Sequence, residues 1–195
     1  MERKEHFCEI NGCTEKASAH FTWAQDRKCT REQHFCEDHA CAVVHEYDHE
    51  HQVLKGCAAT LQGATCFDVE VVVISETHDK QIIYLREVGG PEQLSVVTGF
   101  FEACSIALKL QGFQASRPLT HDAMLGTIIA LGGSLQHVLI DKVDEGIYYA
   151  KACVGQLSQL VLVDMRPSDA VNLALTANCP IFFTNEVVSK MAMSS

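Results

Sequence analysis

Seven of the ten cysteines (Cys8, Cys13, Cys29, Cys36, Cys41, Cys57 and Cys66) and seven of the ten histidines fall before residue 67, in a stretch without a long apolar run. A segment of that composition buries too little apolar surface to hold itself together, so it needs disulfide or metal staples. Disulfides suit exported chains, but Met1-Glu2-Arg3-Lys4-Glu5-His6 leads into no apolar signal core. That start predicts a reduced, cytoplasmic setting. Thiols mixed with imidazoles there read as metal ligands. Cys8-x4-Cys13 is followed, after 22 residues, by Cys36-x2-His39. Two short-range pairs joined by a loop close a tetrahedral site, the geometry that zinc takes with thiolate and imidazole. Four protein ligands leave no open position, so the expected role is structural. Cys29, Cys41, His20, His34 and His45 lie near enough to compete as ligands, and a second, cross-braced zinc is an alternative. We assign residues 1–45 to a zinc-binding module and residues 46–66 to a linker.

From Phe67 the pattern changes. Phe67-Asp-Val-Glu-Val-Val-Val-Ile-Ser75 and Gln81-Ile-Ile-Tyr-Leu-Arg86 are β-rich runs separated by a polar turn. Gly89-Gly90-Pro91 breaks the chain, and residues 94–98 predict another strand. Helical periodicity starts at Phe100, with Phe101, Cys104, Ile106, Ala107, Leu108 and Leu110 on a broad apolar face. A second helix is expected from Thr120, as N-cap, to Gly132-Gly133, and a third from Ser168, as cap, to near Asn178. Residues 135–143, 146–154, 160–163 and 180–184 read as strands. This order predicts an α+β domain over residues 67–190, a mixed sheet packed with about three helices. Cys104, Cys153 and Cys179 sit in apolar surroundings and read as buried small hydrophobes. Cys57 and Cys66 are the loop thiols that a redox sensor would need.

Two polar knots interrupt the apolar pattern: Arg117-Pro-Leu-Thr-His-Asp122 and Asp164-Met-Arg-Pro-Ser-Asp-Ala170. Each sets an Arg-Pro beside a carboxylate at a helix start, where unpaired N–H groups and the positive end of the dipole favour anions. Arginine forks bind phosphate oxygens, and carboxylates bind hard cations. The net charge of −10 opposes a simple nucleic-acid binder. Residues 1–57 hold 7 basic and 11 acidic side chains and residues 58–195 hold 8 and 14, so neither part offers a basic surplus. No run of eighteen apolar residues predicts a membrane span.

Four blocks, taken in order, resemble the bifunctional nuclease family: Glu102-Ala-Cys-Ser-Ile-Ala107, Arg117-Pro-Leu-Thr-His-Asp122, Gly146-Ile-Tyr-Tyr-Ala150, and Asp164-Met-Arg-Pro-Ser-Asp-Ala-Val171 with Leu173-Ala174. The resemblance runs from about residue 67 to residue 188. It implies a compact α+β fold and, as in some members, cleavage of DNA and RNA. The Cys/His segment is similar to the small zinc modules that open bacterial stress regulators related to the McsA family, which serve protein contacts or folding. The expected function is therefore metal-dependent phosphodiester hydrolysis. Glu102, Asp122, Asp164 and Asp169 would bind Mg2+ or Mn2+, Arg117 and Arg166 would clamp phosphate, and His121 would act as general acid or base. The alternative is a non-enzymatic regulatory or adaptor protein in which the same residues cap and pin helices while the zinc module grips a protein partner. Exposed strand edges predict a homodimer.

Overall fold

A computed structural model describes residues 5–49, 61–157 and 159–192. The elements are β1 (Ala19–Gln25), β2 (Lys28–Phe35), α1 (Glu37–His49), β3 (Ala64–Ser75), β4 (Gln81–Glu87), β5 (Gln93–Thr98), α2 (Phe100–Leu110), α3 (Thr120–Ala130), β6 (Ser134–Asp144), β7 (Ile147–Gln156), β8 (Gln159–Met165), α4 (Pro167–Ala177), β9 (Ile181–Thr184) and α5 (Asn185–Ala192). The strands form one nine-stranded mixed sheet in the order β2-β1-β3-β9-β6-β7-β8, with β4 and β5 branching from β3. Among the described residues only the β6–β9 pair is parallel. The fold is α+β, as expected, and the three anticipated helices are joined by α1 and α5.

The twelve residues of β3 organise the sheet. One edge pairs β4 over residues 67–73. The other edge is shared: residues 64–66 pair β9, and residues 71–75 pair β1. Val72 and Ile74 face the helices, while Val71 and Val73 face the Cys/His module. Burial on both faces explains why Val71-Val-Val-Ile74 is uninterrupted rather than alternating. The β1–β2 hairpin turns through Asp26 and Arg27, whose φ values of 50° and 60° are the left-handed pair that a two-residue turn requires. Arg27 Nε then donates to Asp68 Oδ1 at 2.7 Å and Nη1 to the Cys179 carbonyl at 2.7 Å, tying the hairpin to the rest of the sheet.

The main core lies between the sheet and helices α2 and α4. Phe67, Ile83, Leu85, Ile106, Ile140, Ile181 and Phe183 are all fully buried there, as are Ala170, Val171 and Ala174 of α4. Each large apolar side chain so buried contributes roughly 1.5–3 kcal/mol. Small residues on α4 let it press close to the sheet, and this closeness fixes where its first turn can sit.

Two helix caps differ from expectation. Thr120 occupies the first turn of α3, and Leu119 is the cap. The Leu119 N–H is satisfied from within the helix by Asp122 Oδ2 at 3.0 Å. Ser168 is likewise inside α4, where it is buried, and Arg166 is the cap. Pro167 holds the first helical position and keeps Arg166 extended at φ −70°, ψ 147°. At its far end α4 closes on Asn178 with φ 51°, a conformation asparagine tolerates. Of the expected linker, α1 takes residues up to His49 and β3 begins at Ala64, while residues 50–60, with Cys57, lie outside the described residues. Cys66 is buried in β3 rather than placed in a loop.

Candidate active site and metal centre

The Cys/His group assembles from a knuckle and a helix start. The Cys8 N–H donates to the Glu15 carbonyl and the Cys13 N–H to the Ile10 carbonyl, each at 3.0 Å, which curls the first pair of cysteines around a turn. Cys36 follows β2, and its carbonyl accepts the Ala40 N–H at 2.9 Å, opening α1. His39 comes three residues later and so lies on the same side of the helix. Cys8 Sγ and Cys36 Sγ are 3.3 and 3.1 Å from His39 Nδ1, and Cys13 Sγ is 3.9 Å from Cys36 Sγ. All four ligand atoms lie within 4.8 Å of one another. A zinc tetrahedron with metal–sulfur bonds of about 2.3 Å and metal–nitrogen bonds of about 2.0 Å has edges of about 3.5–3.8 Å. The donor set and its spacing therefore fit a tetrahedral zinc-type ion. Burial alone would raise the Cys8 thiol, but N–H groups of Cys36 and Ile10, with Cys13 and His39, outweigh it and bring the pKa down to about 7.

The competing ligands go elsewhere. His20 and His34 share a hydrogen bond between their Nδ1 atoms at 2.8 Å, and His6 stacks on His34 with ring centroids 3.8 Å apart. Cys29 lies on β2 and Cys41 is exposed on α1. His45 falls outside the residues whose side chains are described. Among the described residues no second group has three ligand atoms so gathered.

The second site forms where the first turns of α2, α3 and α4 meet. Arg166 is the hub. Its Nη1 donates to Glu102 Oε1 at 2.9 Å, and its Nε and Nη2 reach Asp169 Oδ2 and Oδ1 at 2.8 and 3.2 Å. His121 Nε2 lies 3.4 Å from Asp169 Oδ1. Four of the seven expected residues, one or more from each helix start, thus share one network. The Arg166 side chain is 66% exposed, whereas Glu102, Asp169 and His121 are 21%, 21% and 10% exposed. The carboxylates and the imidazole are thus largely buried, while the guanidinium that joins them is mostly in water. None of the three helices has a side-chain cap on its leading N–H groups. One turn below Asp169, Asn172 is fully buried with neither its amide nitrogen nor its oxygen paired. Such an orphan calls for an internal water or a ligand atom.

The other three expected residues stand apart from this hub. Asp122 pairs with Lys109 of α2. That ammonium, helped by the Leu119 N–H, holds the Asp122 carboxyl below the usual aspartate range. Asp164 is exposed on β8, in register with Lys151 of β7. Arg117 is exposed in the loop before α3 and makes no ion pair among the described residues.

Comparison with known proteins settles the family. The model of the bifunctional nuclease domain matches residues 83–195. The chain belongs to the bifunctional nuclease domain family. Two uncharacterized proteins of Mycobacterium tuberculosis, Rv1829 from strain H37Rv and MT1877 from strain CDC 1551, are each 35% identical to this chain over 120 residues. The alignments cover 62% of this chain and 71% of each relative. All seven candidate residues of the second site lie inside the bifunctional nuclease segment, and the Cys/His group lies outside it. Within that segment, reading the sequence passed over two lysines. Lys109 was visible as the basic residue in the last turn of α2. Lys151, which binds Asp141 across β6 and β7, had no local signal. No helix of the described residues is long and apolar enough to cross a membrane.

Proposed function

We propose that this chain is a divalent-metal-dependent nuclease acting on DNA or RNA phosphodiesters, with a structural zinc held by Cys8, Cys13, Cys36 and His39. The observation that carries this reading is the meeting of Glu102, His121, Arg166 and Asp169 at three helix starts whose N-cap residues make no side-chain cap bond, inside the nuclease-family segment. Arg166 spans the two carboxylates with a guanidinium that is mostly in water. An incoming phosphodiester offers that guanidinium a second bidentate partner, and its departure frees Glu102 and Asp169 for Mg2+ or Mn2+. A divalent ion bound there would activate water and offset phosphate charge. His121, oriented by Asp169, moves the proton to or from the reacting oxygens. Arg117 has no ion-pair partner among the described residues and extends the phosphate grip, while Asp122 and Asp164 lie at the margins. In this reading residues 1–45 form the module, residues 67–190 the catalytic domain, and the setting is cytoplasmic.

The test is cleavage of labelled single-stranded DNA and RNA with Mg2+ or Mn2+ by wild type and Asp169→Ala. Loss of a carboxylate from the hub should lower the rate at least about 100-fold, the scale of one general acid–base or charge-stabilising group. Equal cleavage by both proteins sinks the proposal. The second reading is a regulatory or adaptor protein whose zinc module binds a protein partner. It is favoured by the −10 charge and by the internal neutralisation of Arg166, and it predicts no metal-dependent cleavage by either protein.

A further inference from the structure

Phe101 is the most exposed of the nine phenylalanines, at 83%. It stands second in α2, where neither burial nor helix propensity accounts for an aromatic ring and where an acidic residue would suit the dipole better. The ring is nevertheless propped. Phe100 meets it at 82° with ring centroids 5.8 Å apart. Phe100 in turn lines a cavity between α2 and the β1–β2 hairpin, together with Phe21, Cys104 and Leu108. Phe101 therefore rests against the protein through its neighbour while most of its surface faces water.

The ring also shares a helix start with the hub. Phe101 directly precedes Glu102, whose Oε1 accepts from Arg166 Nη1 at 2.9 Å. Side chains on a helix lean toward its N-terminus, so Phe101 projects over the end of α2 at which Arg166 is held. Gly99, ahead of both phenylalanines, adds no side chain to cover that approach. An exposed guanidinium and an exposed aromatic ring are thus both anchored at one helix start. The charge balance gives the pair a use. Residues 58–195 hold 8 basic and 14 acidic side chains, so neutralising phosphates supplies this domain with little affinity for nucleic acid. Stacking supplies affinity without positive charge, because every base has a π face. A base inside a duplex is already stacked on both sides, whereas an unpaired base can be splayed onto an aromatic side chain.

We propose that Phe101 is a stacking platform for an unpaired base next to the phosphate that Arg166 grips, which makes single-stranded nucleic acid the substrate class of the candidate site. This inference rests on the nuclease reading and deepens it. The guanidinium holds the phosphate, the ring holds the neighbouring base, and neither contact distinguishes one base from another. The site so built takes single strands of any composition and disfavours the duplex.

The experiment is binding of the full, zinc-loaded chain, without added Mg2+ or Mn2+, to three labelled probes: a short oligothymidylate, an abasic strand of the same length, and the oligothymidylate paired with its complement. Wild type should bind the single strand about 5- to 100-fold more tightly than the abasic strand, the range for one stacked base, and should bind the duplex no better than the abasic strand. Phe101→Ala should bring single-strand affinity down to the abasic level and leave abasic affinity unchanged. Phe101→Trp should restore the difference. Phe101→Leu keeps apolar bulk without a π face and should behave as the alanine variant does. Equal single-strand affinity of wild type and Phe101→Ala overturns the proposal. So does a Phe101→Leu protein that binds like wild type, or a wild type that binds duplex and single strand alike. The two readings fail separately. A wild type that binds and, with Mn2+, cleaves single strands while Phe101→Ala does both equally well removes the platform and leaves the nuclease. A wild type that neither binds nor cleaves any probe removes the nuclease reading and the platform with it.

Discussion

The Cys/His centre and the Arg166 hub are both clusters of four side chains, yet they are built in opposite ways. In the first, two ligand pairs come from short local turns, Cys8 and Cys36 are buried, and every donor faces the others at bonding distance for a metal. In the second, three helices from distant parts of the chain each contribute a first turn, and opposite charges neutralise one another in the open. A closed set of like donors stays together at low cost only with a cation at its centre. A set that already contains its own cation is stable alone and can exchange that cation for a ligand. In the proposed reading, the difference separates a staple from a site that can turn over.

The largest test of that contrast is loss of a staple ligand. Cys36→Ser should abolish stoichiometric zinc in the purified chain and unfold the module, since structural zinc supplies about 10–16 kcal/mol in small domains. Elemental analysis and hydrogen exchange on β1 and β2 read the outcome. Retention of one equivalent of zinc with a protected hairpin would show that the ligand set is wrong. By contrast, Asp169→Ala at the hub should change stability by no more than about 1 kcal/mol, because the ion pair it breaks has an exposed arginine.

The next test concerns acid. Asp122 has a folded pKa below its unfolded one, so the pair with Lys109 stabilises the chain above the unfolded value, near pH 4, and that stabilisation is lost as pH falls through the folded value. Lys109→Met should cost about 1 kcal/mol at pH 7 and flatten the fall of stability below pH 4. Chemical denaturation at several pH values checks it, and an unchanged acid slope would place the Asp122 shift elsewhere.

The smallest effect is expected at the edge of the hub. A Cβ on Gly99 would lie 2.6 Å from Glu102 Oε2. The crowded atom ends a flexible side chain, so Gly99→Ala should turn Glu102 away from Arg166 while changing stability by less than about 0.5 kcal/mol. A several-fold loss of metal-dependent cleavage at constant melting temperature is the expected signature.

Much of the architecture was legible because apolar runs announce buried strands. Residues 67–75, 81–86 and 135–143 sit close to β3, β4 and β6 for that reason. The β1–β2 hairpin was not legible. Lys28-Cys-Thr-Arg-Glu-Gln-His34 is an exposed edge with a polar sequence, and Asp26-Arg27 lacks the glycine that usually marks such a turn. The helix starts were found, but both caps were placed inside the helix. Ser and Thr are the favoured capping residues, but in this chain Leu119 and Arg166 hold the cap positions. At the hub, Glu102, His121, Arg166 and Asp169 could be named from their neighbours. Their distances depend on how closely α2 and α4 pack, which no local spacing encodes. Lys109 escaped notice because its partner lies thirteen residues away across a loop.

With the proposed zinc in the Cys/His centre, the divided edge of β3 links metal supply to solubility. On that edge residues 71–75 owe their hydrogen-bond partners to β1, and β1 belongs to the hairpin that Cys36 and α1 hold down. Stripping the metal would therefore do more than loosen an appendage. It would bare a valine-rich ladder in the middle of the molecule, beside a helix-packed core that remains intact, and such a chain would be recovered from metal-starved cells as aggregate.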